Sequence, residues 1–114
     1  NATTFSGKIL VAVLHARGLH VEAQGGGGSI DPYCVCHVVG KPGTKFKTKT
    51  RRNTIEPSWD EEHEVQSCCW GDVLEFKVYA FNFMANHTLV GLALLGSSSF
   101  LRPEGFDGEL KLVK

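Results

Sequence analysis

Residues 72–80 alternate apolar and polar side chains over the full length of a strand, which constrains the fold more than any other feature. One face would carry Leu74, Phe76, Val78 and Ala80, and the other Glu75, Lys77 and Tyr79. A period of two is typical of a strand that is buried on one face. No stretch longer than about ten residues has helical periodicity. The sequence therefore predicts an all-β fold, an antiparallel β-sandwich.

Short β-rich segments separated by turn residues make up most of the remaining chain. The seven predicted strands are 8–14, 32–39, 45–50, 62–66, 72–80, 89–95 and 108–113. Glycine and proline predict a turn at 40–43, and the glycine run at 25–28 predicts a loop. One helical turn is expected within 97–103.

The size and composition of the chain fit one domain with its own core. Its 114 residues do not need a metal or a disulfide for folding. Lysine plus arginine number 12 and aspartate plus glutamate number 12, so the net charge favours no class of partner. We interpret Cys34, Cys36, Cys68 and Cys69 as reduced thiols of a cytoplasmic protein, with a bridge between the two pairs left open. Glycosylation triplets at 1–3 and 86–88 keep secretion as an alternative.

Basic residues are concentrated between positions 41 and 52, where six occur without any acid. Lys45, Lys47 and Lys49 are two apart, so they are expected on one face of the third predicted strand. Near an anionic surface each basic residue contributes about 1 kcal/mol. The alternative is that these lysines only protect a sheet edge from aggregation.

A series of segments, in order and across nearly the whole chain, resembles the C2 domain family. The segments are LVAVLHARGL at 10–19, SIDPY at 29–33, KTKT at 47–50, NTIEPSWDE at 53–61, LEFKVY at 74–79 and LVG at 89–91. The resemblance implies a C2-type antiparallel β-sandwich of two four-stranded sheets in the circularly permuted form. That form has an eighth strand, which is not found in this sequence. The chain, 1–114, is expected to be a single C2 domain from a larger protein, and a monomer.

Calcium-binding C2 domains supply about five loop aspartates, because Ca²⁺ takes about 6–8 oxygen ligands. Asp31 matches one of these positions, and Asn82 replaces the aspartate at another. Ala80 and Thr88 stand at two more, and no aspartate occurs near 23–25. The resemblance therefore implies a degenerate calcium site and no cofactor, with weak calcium binding as an alternative. Asp31 is then expected to cap its loop by accepting hydrogen bonds from backbone N–H groups.

The resemblance also implies a groove for anionic lipid. Lys47 and Lys49 match the lysine cluster that binds phosphoinositide head groups in protein kinase C and synaptotagmin C2 domains. By strand parity Lys45 joins them. Four residues of neighbouring strands are expected to face the same groove: Tyr33, His37, Lys77 and Tyr79.

Phe83 and Met84 fall at the tip of the loop that the family inserts into lipid. Burying one such side chain contributes about 1.5–3 kcal/mol. The alternative is that both side chains pack against the loop at 25–28 or against another domain.

Together these features predict a non-catalytic, cytoplasmic, peripheral membrane-targeting module. Its expected partner is an anionic membrane surface or a phosphoinositide, bound largely without calcium. A protein-binding C2 domain is the main alternative, and weak Ca²⁺-dependent phospholipid binding is the second. An enzyme is not expected, since the five histidines lack an evident nucleophile. Nucleic acid is not an expected partner, because the net charge is zero and no recognition motif is present.

Overall fold

The computed structural model describes residues 6–21 and 30–114, which contain six strands and one short helix. The strands are β1 (Ser6–His15), β2 (Pro32–Val38), β3 (Lys41–Lys47), β4 (Ser58–Cys69), β5 (Val73–Ala80) and β6 (Thr88–Gly96), and the helix is α1 (Ser97–Phe100). Strands β1 and β4 form one sheet, and the other has the order β3-β2-β5-β6. Every strand pair is antiparallel. The predicted fold class is confirmed.

The core lies between the two sheets and is filled by the alternating residues of the strands. Val11 of β1 and Val65 of β4 pack with Leu74 of β5 in one buried cluster. Trp59 anchors a second cluster, is only 2% exposed, and donates its indole N–H to the Pro32 carbonyl over 3.4 Å. Because each strand buries one face here, its other residues point outward.

The four cysteines are unbridged in the structure. Cys34 and Cys36 are buried on β2, and burial raises the pKa of each to about 12. Both thiols therefore stay protonated at neutral pH and serve as small core residues.

Strand β4 is much longer than the predicted segment 62–66. Its register with β1 shifts at two places, near Asp60 and near Ser67. Both residues have positive φ, 52° and 58°. These are β-bulges, which insert an extra residue and so interrupt the alternation on which the prediction relied.

Strand β3 also differs from its prediction, because it begins at Lys41 instead of Lys45 and ends at Lys47 instead of Thr50. The turn before it is confined to Val39 and Gly40, and Gly40 has a φ of 83° that favours glycine. Pro42, which suggested a longer turn, is accommodated because β3 lies at the edge of its sheet.

The predicted strand at 108–113 forms only one bridge, between Val113 and Leu92 of β6. Leu110 and Leu112 of this segment pack on the core. The described residues therefore give sheets of two and four strands instead of four and four. The helical turn expected within 97–103 is limited to α1. The glycine run at 25–28 and positions 23–25 lie outside the described residues.

Candidate anion-binding surface

The outward face of β3, β2 and β5 brings together most of the groove residues predicted from the sequence. Val35 of β2 lies opposite both Lys47 and Lys77 in the register of the sheet, so the three side chains share this face. The register places seven residues on this face, and the two-residue spacing from Lys47 adds an eighth, Lys45; the whole set, called the outer face below, is Tyr33, Val35, His37, Lys45, Lys47, Glu75, Lys77 and Tyr79. Lys45 and Lys47 are exposed, whereas Phe46 between them packs on the core.

Tyr33 is the most buried member of the outer face. It lies directly opposite Tyr79, and the two rings stack with centroids 5.5 Å apart and planes inclined by 20°. The Lys47 ammonium lies 5.6 Å from the centre of the Tyr33 ring, within the range of a cation–π contact. Burial, followed by the neighbouring Tyr79, raises the pKa of Tyr33, so its hydroxyl stays protonated and can donate a hydrogen bond.

His87 joins this cluster, although the sequence analysis did not assign it to the groove. The Tyr33 hydroxyl and His87 Nδ1 form a hydrogen bond of 2.5 Å, and the two rings meet edge to face. The His87 ring also contacts Phe81, with centroids 4.7 Å apart. His87 lies on the loop after β5, where strand parity gives no information, so only loop closure reveals the contact.

His37 faces an acid on β5. Its Nε2 lies 2.7 Å from Glu75 Oε1, and Lys77 Nζ lies 3.7 Å from the same oxygen. The hydrogen bond from His37 lowers the pKa of Glu75 below its ordinary value, and Lys77 adds to this against the opposing effect of burial. Glu75 therefore carries a negative charge at neutral pH. Strand parity places Glu75 on this face, but the predicted groove did not include it.

Lys49 lies beyond the end of β3, which the sequence analysis had extended to Thr50, so strand parity no longer places its side chain. Its backbone N–H donates to Glu61 Oε2 over 2.8 Å, and Glu61 Oε1 lies 2.9 Å from His63 Nε2. The His63 ring stacks on Phe46 with centroids 4.1 Å apart. This network holds the chain that leaves β3, and the Lys49 side chain remains exposed there.

The pKa of Glu61 is lowered by this network. Burial raises the pKa, but the hydrogen bonds from the Lys49 backbone and from His63, together with their charges, outweigh it. The contacts of Glu61 are those of a side chain that joins β4 to the segment after β3.

The loop between β5 and β6 presents two large apolar side chains to solvent. Phe83 is 82% exposed and Met84 is 78% exposed. Asn82 Oδ1 accepts a hydrogen bond of 2.9 Å from the Met84 backbone N–H, which closes a local turn. Phe83 and Met84 form the loop tip. The alternative contact with 25–28 lies outside the described residues.

Asp31 makes the kind of hydrogen bond that a loop cap makes. Its Oδ1 accepts the Asn53 backbone N–H over 2.8 Å, and its carbonyl accepts the Phe81 N–H over 2.8 Å. It thereby ties two other loops to the start of β2. Within 6–21 and 30–114, no group of three or more histidine, cysteine or acidic side chains is arranged to hold a metal.

The chain belongs to the C2 domain family, which matches residues 7–112. It is 31% identical to human synaptotagmin-5 over 97 residues, covering 82% of this chain and 25% of that protein. It is 30% identical to rat synaptotagmin-3 over 94 residues, covering 79% of this chain and 16% of that protein. The chain thus spans a quarter or less of the length of these relatives.

Solved structures show the same fold. The human GIVD cytosolic phospholipase A2 matches with a TM-score of 0.74 and 28% identity, over 86% of this chain and 13% of that one. The C2A domain of plant extended synaptotagmin 1 matches with a TM-score of 0.73 and 26% identity, over 82% of this chain and 71% of that one. The RIM C2A domain of Drosophila matches with a TM-score of 0.78 and 17% identity, over 97% of this chain and 94% of that one. At this level of identity the match shows the fold alone.

A C2 domain with synaptotagmin relatives is, in general, a membrane- or lipid-binding module, and such domains are typically non-catalytic. The part of the chain that the structure describes contains no helix with the length and apolar character needed to cross a bilayer.

Proposed function

We propose that this C2 domain binds anionic phospholipids, phosphoinositides included, through the outer face and the loop tip, and does so without calcium. One observation carries the proposal: Lys47 lies over the ring of Tyr33, which stacks on Tyr79, and Lys77 lies on the same cross-strand line as Lys47. An ammonium held over an aromatic platform, with further lysines beside it, suits a phosphate group.

The charges of the outer face and of the neighbouring Lys49 supply a moderate attraction. The three lysines of the outer face, less the charge of Glu75, act together with Lys49, which is exposed just beyond the end of β3. At about 1 kcal/mol for each net charge, the attraction is about 3 kcal/mol. Such a free energy corresponds to a dissociation constant of a few millimolar.

Insertion of the loop tip raises this affinity to a useful range. Phe83 and Met84 each add about 1.5–3 kcal/mol when they leave water for the acyl region. Both contributions together bring the total to about 6–9 kcal/mol, which is in the micromolar range. The outer face alone does not reach that affinity, and the loop tip alone, at about 3–6 kcal/mol, reaches only its weak end.

Calcium independence is supported by the residues at the ligand positions. Asp31 and Asn82 each already accept a backbone hydrogen bond through Oδ1. Ala80 and Thr88 offer no carboxylate. A site with one carboxylate falls short of the set of about 6–8 oxygens that Ca²⁺ requires.

Liposome co-sedimentation tests the proposal. Neutral, phosphatidylserine and phosphoinositide vesicles are compared in Ca²⁺ and in chelator, with wild type and Lys45→Ala/Lys47→Ala. The matched control is Lys8→Ala/Arg102→Ala, which removes the same charge from exposed ion pairs outside the outer face. Binding to anionic vesicles in chelator, lost in the first variant and kept in the control, is expected.

Two other outcomes would overturn the proposal. Binding that requires Ca²⁺ would show that Asp31 and other oxygens suffice for a calcium site. An absence of binding under every condition would favour a protein partner. The exposed Phe83 and Met84 fit that second function as well, because exposed apolar side chains often mark protein contacts.

A further inference from the structure

Two histidines border the charged part of the outer face. His37 is paired with Glu75 near one end of β2, and His87 is bonded to Tyr33 near the other. Strand parity and the register of the sheet place Lys45, Lys47 and Lys77 around and between them. An unperturbed imidazole changes its charge between about pH 5 and 8.

We infer that protonation of His37 and His87 strengthens the binding of anionic lipid to the outer face at acidic pH, and that His87 is a further head-group-binding residue. This inference rests on the proposed function of the outer face.

His87 can gain a proton while it keeps its hydrogen bond to Tyr33. Its Nδ1 is bonded to the Tyr33 hydroxyl, which can donate to a neutral imidazole or accept from a protonated one. The side chain is exposed, and its Nε2 has no hydrogen-bond partner among the described residues. A protonated His87 therefore adds a charge and a free N–H donor beside the ring that Lys47 covers.

Protonation of His37 changes the charge of the outer face in a different way. While His37 is neutral, the charge of Glu75 is opposed by Lys77, whose Nζ lies 3.7 Å from Glu75 Oε1. Protonation of His37 forms an ion pair with Glu75 and cancels the single negative charge of the outer face. Glu75 stays ionised in mildly acidic solution, because His37 and Lys77 lower its pKa.

The charge of the outer face should therefore double on acidification. Three lysines and one glutamate leave it with a net charge of two at neutral pH, and two protonated imidazoles raise this to four. At about 1 kcal/mol for each added charge, affinity for an anionic surface rises about 30-fold between pH 7.5 and 5.5.

The test uses vesicles of phosphatidylglycerol in phosphatidylcholine, because the charge of this phosphodiester is constant across the range. Affinity is measured in chelator at pH 7.5 and 5.5 for wild type, His37→Gln/His87→Gln and His87→Gln alone. The control is His15→Gln/His20→Gln, which removes two exposed imidazoles that do not lie on the β3-β2-β5 strands. Thermal melting of each variant at both pH values monitors folding.

Wild type and control should bind about 30-fold more tightly at pH 5.5 than at pH 7.5. The double variant should change less than about threefold, and His87→Gln, which alters only an exposed loop residue, should retain about a fivefold increase. Equal wild-type affinity at both pH values, or a full increase in the folded double variant, would overturn the inference. Wild type that binds at neither pH would overturn the proposed function as well.

Discussion

The outer face and the loop tip are built in different ways. On the outer face, side chains project from paired strands, and Tyr33 is only 8% exposed because Tyr79, His87 and Lys47 surround it. At the loop tip, Phe83 and Met84 are almost fully exposed. The local support of the loop tip is the turn that the Met84 backbone N–H closes by donating to Asn82 Oδ1. One region holds its groups in fixed places, and the other offers apolar surface without fixed partners.

This difference suggests a division of labour. Charges act over a distance of about 10 Å at moderate salt, so the outer face attracts and orients the domain at an anionic surface. Apolar burial acts only on contact, so the loop tip retains the domain there. Changes at the two regions should therefore alter affinity, stability and salt dependence differently.

The largest expected effect on affinity comes from the loop tip. Phe83→Ser/Met84→Ser should weaken binding to anionic vesicles by more than about 100-fold, because at least about 3 kcal/mol of apolar burial is lost. The folding stability should change by less than about 0.5 kcal/mol, since both side chains are exposed. Co-sedimentation and urea denaturation measure the two quantities.

Val39→Ser is the control for the loop tip, because Val39 is 52% exposed in the turn at the opposite end of the sheet. It should leave vesicle affinity unchanged. If Phe83→Ser/Met84→Ser also leaves it unchanged, the loop tip does not enter lipid.

Tyr33 should show the opposite behaviour, with a large effect on stability. Tyr33→Ala removes a buried, stacked ring and should cost about 3 kcal/mol of unfolding free energy. Tyr33→Phe loses only the hydrogen bond to His87 and should cost about 1 kcal/mol. Urea denaturation measures both, and equal stability of Tyr33→Ala and Phe83→Ala would remove the distinction between the two regions.

The lysines should control how affinity depends on salt. Lys45→Ala/Lys47→Ala should weaken binding about 30-fold at low salt, and the loss should shrink as salt is raised. The loop-tip variant should keep the steep salt dependence of wild type. Affinities at several salt concentrations measure both slopes, and parallel slopes for wild type and the lysine variant would contradict a binding role for these lysines.

Glu61 offers a smaller effect that depends on pH. Since its pKa is lowered in the folded protein, its contribution to stability is full above the ordinary glutamate pKa and is lost as pH falls through the folded pKa. Glu61→Gln should therefore cost about 1 kcal/mol at pH 7, and this cost should shrink as the pH falls below the ordinary glutamate pKa. Glu62→Gln, an exposed neighbour on β4, is the control in urea denaturation.

Strand parity predicted much of the outer face. Once β2 and β5 were assigned, a period of two placed Tyr33, Lys77 and Tyr79 on one side, and the register confirms this. Burial on the opposite side fixes the pattern, because a shift of one residue would expose the core. The resemblance to the C2 family implied the loop tip, and both of its side chains are exposed.

Features set by loop closure or by bulges were not predictable in the same way. His87 reaches Tyr33 across 54 residues of sequence, and no periodic signal marks that contact. Lys49 follows the end of β3, where strand parity stops applying. Asp60 and Ser67 have positive φ and interrupt the alternation of β4. Neither is a glycine, so the sequence gives no signal of the two bulges.

The central claim is that the outer face binds anionic head groups without calcium. Its most direct test is an amide NMR titration in chelator with a soluble inositol phosphate, which has the charge of a head group and no acyl chain. The largest shift changes should occur at Tyr33, Lys47 and Tyr79, while Phe83 and Met84 stay unchanged. Shifts that appear only after Ca²⁺ is added and centre on Asp31, or no shifts on β2, β3 and β5, would contradict the claim.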